Sequence, residues 1–265
     1  MQYRELTPQE HVDRRPEMYV GDVQPRSENL FCFCTKTGQM VQDPCCLTND
    51  GLLKLFYEAV DNAVDNTQRC PATTRINVVM DSQTFRVENN GAHIPIRQQN
   101  GTWVPTMIFS KPLSGSNFDD KAHVRVGAGM NGWGIKLSFM LSDESSIVIL
   151  DPTEGTKLTQ TWTDGVRTTQ GPKITKKNSN HKQMTTSVQF RPKLACFGVE
   201  SLNNFHTQVL TRLVQISATN GVKITFNGTV VPTNTFKKYI ESFACVDKLV
   251  YEKLSATFEA YKHLT

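Results

Sequence analysis

Acidic and amide side chains gather on one face of the helix that the sequence predicts most strongly. Apolar residues recur at helical spacing through residues 50–66 and predict an amphipathic helix there. At about 100° per residue, Glu58, Asn62 and Asp65 fall within roughly 60° of one another, opposite the apolar stripe. From Glu58 to Asn66 this face carries no Lys or Arg, so we expect no i,i+4 ion pairs on it.

Such a face is suited to a metal ion, a water molecule or the edge of a nucleobase. Asn62 suits Mg²⁺, which prefers hard oxygen ligands and keeps several waters. A carboxylate such as Glu58 is able to accept a proton from a water that attacks a phosphate. The alternative interpretation is a solvated face of an amphipathic helix. Against it, the face carries two Asn residues, which are poor helix formers.

The glycine-rich segment 127–134 admits more than one interpretation. Residues 127–132 satisfy G-x-G-x-x-G, and Asp151 follows at about the position of a ribose-binding acid in a dinucleotide fold. Residues 119–126 are too charged for the buried first strand of such a fold, and no repeated βα units follow. The later glycines lead into a predicted helix that carries Lys136, where backbone N–H groups are able to bind phosphate. A purely structural glycine-rich turn remains the other possibility.

The elements that position these residues are of mixed type. A capping box, Thr7-Pro8-Gln9-Glu10, predicts a short helix that ends near Arg14. We expect irregular structure or a loose hairpin over residues 21–50, and a long functional loop over 97–130. Further predictions are strands over 75–80, 84–87, 146–150, 158–162 and 187–190, helices over 132–140, 205–216 and 236–243, a hairpin or loop over 165–183, and an Asn-Gly hairpin over 222–231. This order is typical of an α+β fold.

Composition sets broad limits on the class of protein. The chain has 265 residues, 29 basic and 25 acidic, and a net charge of +4, which permits an anionic partner without predicting non-specific nucleic-acid binding. It has no apolar run of membrane-spanning length and a polar start without a signal peptide, so we expect no membrane association. The seven cysteines are an odd number without a secretory signal, so we expect free thiols in a reducing compartment. A zinc site at Cys32, Cys34, Cys45 and Cys46 is the less favoured alternative, because their spacing is not the usual ligand spacing.

Several motifs follow one another in a recognisable order. They read T-P-Q-E-H and R-P-E-M-Y-V-G within residues 7–21, L-F-Y-E-A-V-D-N-A-V-D-N over 55–66, N-N-G-A-H-I-P over 89–95, S-N-F-D-D over 116–120, G-M-N-G-W-G-I-K-L over 129–137, and T-T-S-V-Q-F-R-P over 185–192. Together they resemble the GHKL (Bergerat-fold) ATPases. Within that group they are similar to the ATPase region of type IIA DNA topoisomerases of eukaryotic, large-virus and T-even-phage style.

The resemblance implies a fold and a set of site residues. The fold would be an α/β sandwich with a mixed, mostly antiparallel sheet and an N-terminal strap over residues 1–195, followed by a partial transducer domain over 196–265. Glu58 would be the general base, Asn62 would hold Mg²⁺ against the phosphates of ATP, and Asn90 would read the adenine edge. The other nucleotide contacts would come from Tyr3 (reaching the partner subunit's nucleotide), Asp65, Asn66, Ser116, Asn117, Asn131, Gly132, Trp133, Gly134, Ile135, Lys136 and Thr186.

The sequence departs from the family pattern at several positions. Asn90 stands where many GHKL proteins have Asp, His93 replaces a glycine, and Met130 replaces a common Arg. His93 would narrow the adenine pocket, and Met130 removes a cation near the phosphates. The nucleotide preference therefore does not follow from the motifs alone.

The resemblance also implies a function. The chain would bind Mg·ATP and use its binding and hydrolysis to close a dimeric DNA entry gate for strand passage, inside a compartment that contains DNA. We expect a piece without the cleavage and religation domain, in which ATP binding survives and hydrolysis and ATP-driven dimerisation are weak. The alternative functions are a nucleotide-dependent, chaperone-like GHKL binding module and, less favoured, a Rossmann oxidoreductase. The basic stretch 173–182 is a candidate DNA contact, with a solvated loop as the favoured interpretation.

Overall fold

The computed structural model of the chain describes residues 3–92, 94–114, 132–176, 184–232 and 235–243, and the backbone of 249–253 and 259–263. Helical segments in these ranges are α1 (Pro8–Arg14), α2 (Glu17–Val20), α3 (Asp50–Arg69), α4 (Val104–Ser110), α5 (Gly134–Met140), α6 (His206–Asn220) and α7 (Phe236–Glu241), with 3₁₀ turns at Leu194–Phe197 and Leu202–Phe205. None of the helices in the described ranges combines the length and apolar character needed to cross a bilayer.

Within these ranges the strands form one eight-stranded sheet and three two-stranded sheets. The strands are β1 (Arg26–Cys34), β2 (Gln39–Thr48), β3 (Arg75–Met80), β4 (Phe85–Asn90), β5 (Gln98–Gln99), β6 (Thr102–Trp103), β7 (Ser142–Asp151), β8 (Thr156–Thr163), β9 (Thr168–Lys176), β10 (Thr185–Pro192), β11 (Lys223–Phe226), β12 (Thr229–Val230), β13 (Leu249–Lys253) and β14 (Glu259–His263). The order in the eight-stranded sheet is β12-β11-β3-β4-β10-β7-β8-β9. All its pairs are antiparallel except β11 with β3, which confirms a mixed, mostly antiparallel sheet.

Local sequence signals explain where the two best-predicted helices begin. The side chain of Thr7 accepts from the Glu10 backbone N–H and the Glu10 side chain accepts from the Thr7 N–H, which completes the capping box of α1. The side chain of Asn49 caps α3 by accepting from the Leu52 N–H at 2.9 Å, and it donates to two carbonyls, of Val23 and Phe197. Both helices therefore begin at side chains that bind the otherwise unpaired N–H groups of the first turn.

Aromatic residues fix α3 and α5 against one face of the large sheet. Phe56 of α3 stacks on Phe85 of β4, with 4.5 Å between the ring centroids. Phe139 of α5 packs at 5.2 Å on Trp162 of β8. All four side chains are fully buried, so both helices lie directly over the hydrophobic core. The polar face of α3 and the start of α5 are thereby held close together.

Two segments are more regular than the sequence predicts. The region expected to be irregular or a loose hairpin contains the long antiparallel pair β1–β2, with a β-bulge between Glu28 and Leu30. The predicted loop over 97–130 contains the helix α4, which has Pro105 in its first turn and buries Phe109 in the core. Residues 115–131 of that predicted loop lie outside the described residues.

The segment after residue 195 joins the same sheet and core. Strand β11 adds parallel to β3, and Leu213 of α6 and Ile224 of β11 are buried in the core that the large sheet shares. The Asn-Gly turn between β11 and β12 forms as predicted, with Asn227 and Gly228 both at positive φ. The division into domains at residue 195 stays a prediction.

Candidate nucleotide-binding site

The carboxylate of Glu58 lies against the start of α5. A Cβ atom added at Gly134 would lie 2.5 Å from Oε2 of Glu58, a separation that real Cβ atoms essentially never show. A larger residue at position 134 would therefore displace the Glu58 carboxylate, whereas glycine lets the carboxylate lie against the backbone of Gly134. The contact brings together two residues that the sequence analysis assigned to catalysis and to nucleotide binding.

Burial sets the ionisation of Glu58. Removal from water raises the pKa of this carboxyl above its ordinary value, and the like charges of Asp61 and Asp65 raise it further. The cation of Lys54 acts in the opposite direction. A carboxylate with a raised pKa is a stronger proton acceptor than an ordinary Glu, which is the property a general base needs near neutral pH.

Lys54 corrects the expectation that the acidic face of α3 lacks cations. It lies one helical turn before Glu58, and its ammonium donates to the backbone carbonyl of Tyr19 at 3.1 Å. Lys54 precedes the cation-free stretch 58–66, but as the i−4 neighbour of Glu58 it lies on the same helix face. Lys54 partly balances the negative charge while being anchored to α2.

A second lysine, Lys136, is buried in α5. Its side chain is 4% exposed, and Nζ donates to the Ser114 carbonyl at 2.8 Å. Burial lowers the pKa of Lys136 to about 8. Within the described ranges it forms no ion pair. Such an amine gains most from a buried anion, because an anion restores its preference for the charged form.

The segment just before α5 is fixed by aromatic contacts. Trp133 packs on Tyr19 at 5.2 Å between ring centroids, and the Tyr19 hydroxyl is 2.6 Å from Nδ1 of His11. Gly132 has φ 64°, in the left-handed region that favours glycine. Ile135 is buried in the core, so only its backbone is able to meet a nucleotide.

The remaining α3 residues differ in exposure. Asn62 is exposed, whereas Asp65 is buried. The amide nitrogen of Asn66 donates to Oγ1 of Thr73 at 3.1 Å and to the Ala92 carbonyl at 3.0 Å. Asn66 therefore ties the end of α3 to the turn after β4, and its contact with the nucleotide stays a prediction.

The structure gives Asn90 another role than the predicted one. Its amide oxygen accepts from the backbone N–H groups of Thr74 and Arg75, at 3.0 and 2.8 Å. Its amide nitrogen donates to the Ala72 carbonyl and to Oγ1 of Thr74. Two accepted and two donated bonds use the full capacity of a carboxamide. Asn90 holds the loop before β3, which does not match the prediction that it reads an adenine edge.

Asn89, which the sequence analysis did not select, faces the other way. Side chains alternate along a strand, so Asn89 shares the face of Val87 and Phe85, and Phe85 stacks on α3. Asn89 is directly opposite Thr186 of β10. Both side chains are buried, at 8% exposure, on the sheet face that packs against α3. The period-two alternation from Phe85 is the sequence signal that identifies Asn89.

Other predicted contacts have no described partner in the site. Tyr3 is 92% exposed. The predicted residues Ser116, Asn117 and Asn131 lie outside the described residues, as do the two departures His93 and Met130. The sequence predictions for these residues stay predictions.

The fold and this constellation match a family of ATPases. The sequence model of the histidine kinase-, DNA gyrase B-, and HSP90-like ATPases matches residues 48–193, which include α3, α5 and strands β3 to β10. The chain belongs to this family. The fold is therefore that of an ATP-binding family.

Within the family, the relatives point to one subgroup. The chain is 32% identical over 249 residues to a DNA topoisomerase 2 of Candida glabrata, an alignment that covers 91% of the chain and 17% of the relative. It superimposes on the ATPase region of Saccharomyces cerevisiae topoisomerase II with a TM-score of 0.91, at 30% identity, covering 98% of the chain and 70% of that structure. The ATPase and transducer domains of Balamuthia mandrillaris topoisomerase II give a TM-score of 0.90 at 31% identity, with 96% and 66% covered.

These similarities confirm the resemblance drawn from the motifs. The relatives are DNA topoisomerase 2 proteins, and the structural neighbours contain the ATPase region of topoisomerase II, so the chaperone-like alternative is not favoured. The chain spans 17% of the length of the curated relative from Candida glabrata.

Proposed function

We propose that the chain binds ATP between the polar face of α3, the buried Asn89–Thr186 pair and the glycine-rich segment that leads into α5, and hydrolyses it with Glu58 as the general base. The contact between Glu58 and Gly134 carries this proposal, because it places a proton acceptor against the backbone assigned to the phosphates. Lys136 supports it, since a buried amine with a lowered pKa favours an anionic ligand.

The adenine end of the pocket is assigned to Asn89 rather than Asn90. The Asn89 carboxamide presents both an acceptor and a donor, which matches the adenine edge, where an amino group and a ring nitrogen stand side by side. Thr186, directly across the strand pair, offers a hydroxyl to the same edge. The Asn89 amide nitrogen donates to the Asn90 carbonyl at 3.1 Å, which orients the group before a ligand arrives.

A magnesium ion fits the residues of α3. Asn62 is exposed and lies one turn after Glu58, so an amide oxygen and a carboxylate share this face, the hard-oxygen donor set that Mg²⁺ prefers. When bound, Mg²⁺ would neutralise charge on the phosphates. Asn62 would hold the ion, while Glu58 stays available to accept a proton.

The chain's own residues divide the chemistry of hydrolysis. Glu58 takes the proton from the attacking water, and burial has prepared it by raising its pKa. Lys136 stabilises charge that develops on the transferred phosphoryl group. The packing of Trp133 on Tyr19 holds the residues just before α5 in place. Positioning and electrostatic stabilisation thus come from groups that are fixed before substrate binds.

The role of the whole protein is part of the proposal. The chain would serve as the ATPase region of a type II topoisomerase, in which ATP joins two subunits into a gate around DNA and hydrolysis releases them. Tyr3 would reach the nucleotide of the second subunit, and its 92% exposure leaves it available for such a contact. A DNA-containing compartment follows from the same proposal.

Calorimetry tests the ATP proposal directly. The chain is titrated with a non-hydrolysable ATP analogue, in Mg²⁺ and in EDTA, and with NADH as the control ligand. We expect saturable binding of the ATP analogue, tighter in Mg²⁺, and no binding of NADH. Binding of NADH with no heat from the ATP analogue would overturn the proposal.

Asn62→Ala tests the metal assignment. We expect the variant to lose affinity for the ATP analogue by roughly tenfold or more in Mg²⁺ and to match the unmodified chain in EDTA, because the lost amide oxygen acts through the metal. Isothermal calorimetry in Mg²⁺ and in EDTA gives the ratio of the variant's Kd to that of the unmodified chain in each buffer. Asn66→Ala is the matched control: it removes an amide of the same helix that is bound to Thr73 and Ala92, so any loss of affinity should be equal in Mg²⁺ and in EDTA. Equal losses of Asn62→Ala in both buffers would remove Asn62 from the metal site.

Asn89→Ala and Asn90→Ala separate base recognition from loop anchoring. We expect Asn89→Ala to reduce the preference for ATP over GTP by about tenfold with little loss of stability, because a base-reading group is lost. Asn90→Ala should keep that preference and lose about 2–3 kcal/mol of unfolding free energy, because the N–H groups of Thr74 and Arg75 lose their acceptor. Competition binding and urea denaturation measure the two effects, and the reverse pattern would restore Asn90 as the adenine reader.

A further inference from the structure

Two buried cysteines, one from each strand of the β1–β2 hairpin, lie in contact. The sulfur atoms of Cys32 and Cys46 are 2.8 Å apart, and each residue is 4% exposed. This pair lies outside the nucleotide site, and the proposed function gives it no role. The hairpin carries two further cysteines, the half-buried Cys34 and the exposed Cys45, which provide an internal comparison.

The surroundings distinguish the two sulfurs. The amide nitrogen of Gln208, on α6, donates to Sγ of Cys46 at 2.8 Å and also to the Leu47 carbonyl. The Cys46 sulfur is therefore held against α6 by this hydrogen bond. The Asp43 carboxylate lies within 4.8 Å of both sulfurs and is able to receive a thiol proton. Burial raises the pKa of Cys32 to about 12, so that thiol stays protonated.

We propose that Cys32 and Cys46 form an oxidisable dithiol that closes to a disulfide when a peroxide reaches the hairpin. Asp43 takes the proton of the Cys46 thiol as the Cys46 sulfur attacks one oxygen of hydrogen peroxide. The O–O bond breaks, Cys46 sulfenic acid forms, and the released hydroxide takes the proton from Asp43 to give the first water. The Cys32 sulfur then attacks the Cys46 sulfur, the S–O bond breaks, and the Cys32 proton passes to the leaving hydroxide to give the second water. Two thiols are oxidised by two electrons, and one peroxide becomes two waters.

Geometry favours this chemistry over a metal site made from the same residues. Two thiolates bound to a tetrahedral zinc ion at about 2.3 Å lie about 3.7 Å apart. The two sulfurs would have to separate from 2.8 Å to admit the ion, whereas a disulfide requires them to move closer. Cys32, Asp43 and Cys46 also supply only three ligands for a tetrahedral ion.

The pair is placed where a cross-link would act on the ATPase. The hairpin contacts α6 through the Phe33 N–H, which donates to Oγ1 of Thr211 at 2.8 Å, and through Gln208. On the next turn of α6, Arg212 lies over the ring of Tyr57 and pairs with Asp61, both on α3. A disulfide would therefore stabilise the layer that supports the helix carrying Glu58.

Peptide mapping tests the proposal. The whole chain is treated with hydrogen peroxide, the remaining thiols are alkylated under denaturing conditions, and the linked peptides are fragmented. We expect one cross-link, between Cys32 and Cys46, lighter by two hydrogen atoms and reversed by dithiothreitol. The oxidised chain should melt about 5 °C higher than the reduced chain, because the disulfide closes the loop between Cys32 and Cys46 in the unfolded state.

Four variants give the matched controls. Cys34→Ser and Cys45→Ser should retain the cross-link and the melting shift, whereas Cys32→Ala and Cys46→Ala should lose both. If Cys32→Ala or Cys46→Ala fails to fold, the comparison of the reduced and oxidised unmodified chain still tests the proposal. Three results would overturn the proposal: a cross-link through Cys34 or Cys45, oxidation of exposed thiols with none at the pair, or a stoichiometric bound zinc that protects both sulfurs until it is chelated.

Discussion

Glu58→Gln is expected to lose hydrolysis and keep nucleotide binding. The amide has the same shape as the carboxylate that meets Gly134, so Gly134 keeps its position. It lacks the basic oxygen that accepts the proton of the attacking water, and loss of a general base costs about 10²–10⁴-fold in rate. Single-turnover hydrolysis measures the rate, and calorimetry with the non-hydrolysable analogue measures the affinity. Hydrolysis at the unmodified rate would remove Glu58 from the reaction.

Asp61→Asn is the matched control for Glu58→Gln. Asp61 is a partly buried acid of the same helix, but its carboxylate pairs at 3.4 Å with Arg212, which belongs to α6. We expect hydrolysis to continue in this variant. Its pH profile should nevertheless change, because the charge of Asp61 contributes to the raised pKa of Glu58.

The direction of the change in the pH profile follows from the shift in the pKa of Glu58. Burial raises the pKa of Glu58 above 4.5, so the basic form is lost at a higher pH than in an ordinary Glu, and the acid limb of kcat/KM lies above pH 4.5. Removing the charge of Asp61 lowers the pKa of Glu58 and moves the acid limb to lower pH. An acid limb that stays in place would show that Glu58 is not the group that titrates.

Much of the site's positioning could be predicted from local sequence. The apolar stripe of α3 and the Thr7 capping box depend on neighbours within one or two turns, and both appear as predicted, with α3 extended to Arg69. The contact of Glu58 with Gly134 could not be predicted in this way. It depends on how α5 packs on α3 across the core, and no local pattern encodes that distance.

The adenine contact, assigned to Asn90 from the sequence and to Asn89 from the structure, shows a second limit of prediction from sequence. Both residues belong to the same motif, and residue type alone does not distinguish them. The strand alternation assigns Asn89 to the face of Phe85, but only the three-dimensional position of the 72–75 loop shows what binds Asn90. Similarly, the β11–β12 hairpin is a local signal, whereas its parallel pairing with β3 depends on the chain's return past α6.

Lys136→Met is expected to weaken nucleotide binding by roughly 10–100-fold at pH 7, because a charge-assisted bond to phosphate is lost. Methionine keeps most of the buried volume of the side chain. The folded-state pKa of Lys136, about 8, lies below its ordinary value of 10.5, so charging this amine at neutral pH costs folding stability. The variant removes that cost, and its unfolding free energy should not fall. Weak binding by a variant of undiminished stability would therefore report on the site.

The pH dependence of binding of the ATP analogue shows directly whether the charge of Lys136 contributes. Free Lys136 is neutral above about pH 8 and must take up a proton when it binds phosphate, so the Kd of the ATP analogue should rise towards tenfold per pH unit above that value. A lysine of ordinary pKa would give no slope between pH 8 and 10. Calorimetry in buffers of different ionisation enthalpy would detect the proton uptake. The slope should persist in Lys111→Met, which removes an exposed lysine bound to Thr102, and vanish in Lys136→Met. An equal slope in both variants would show that another group binds the phosphate.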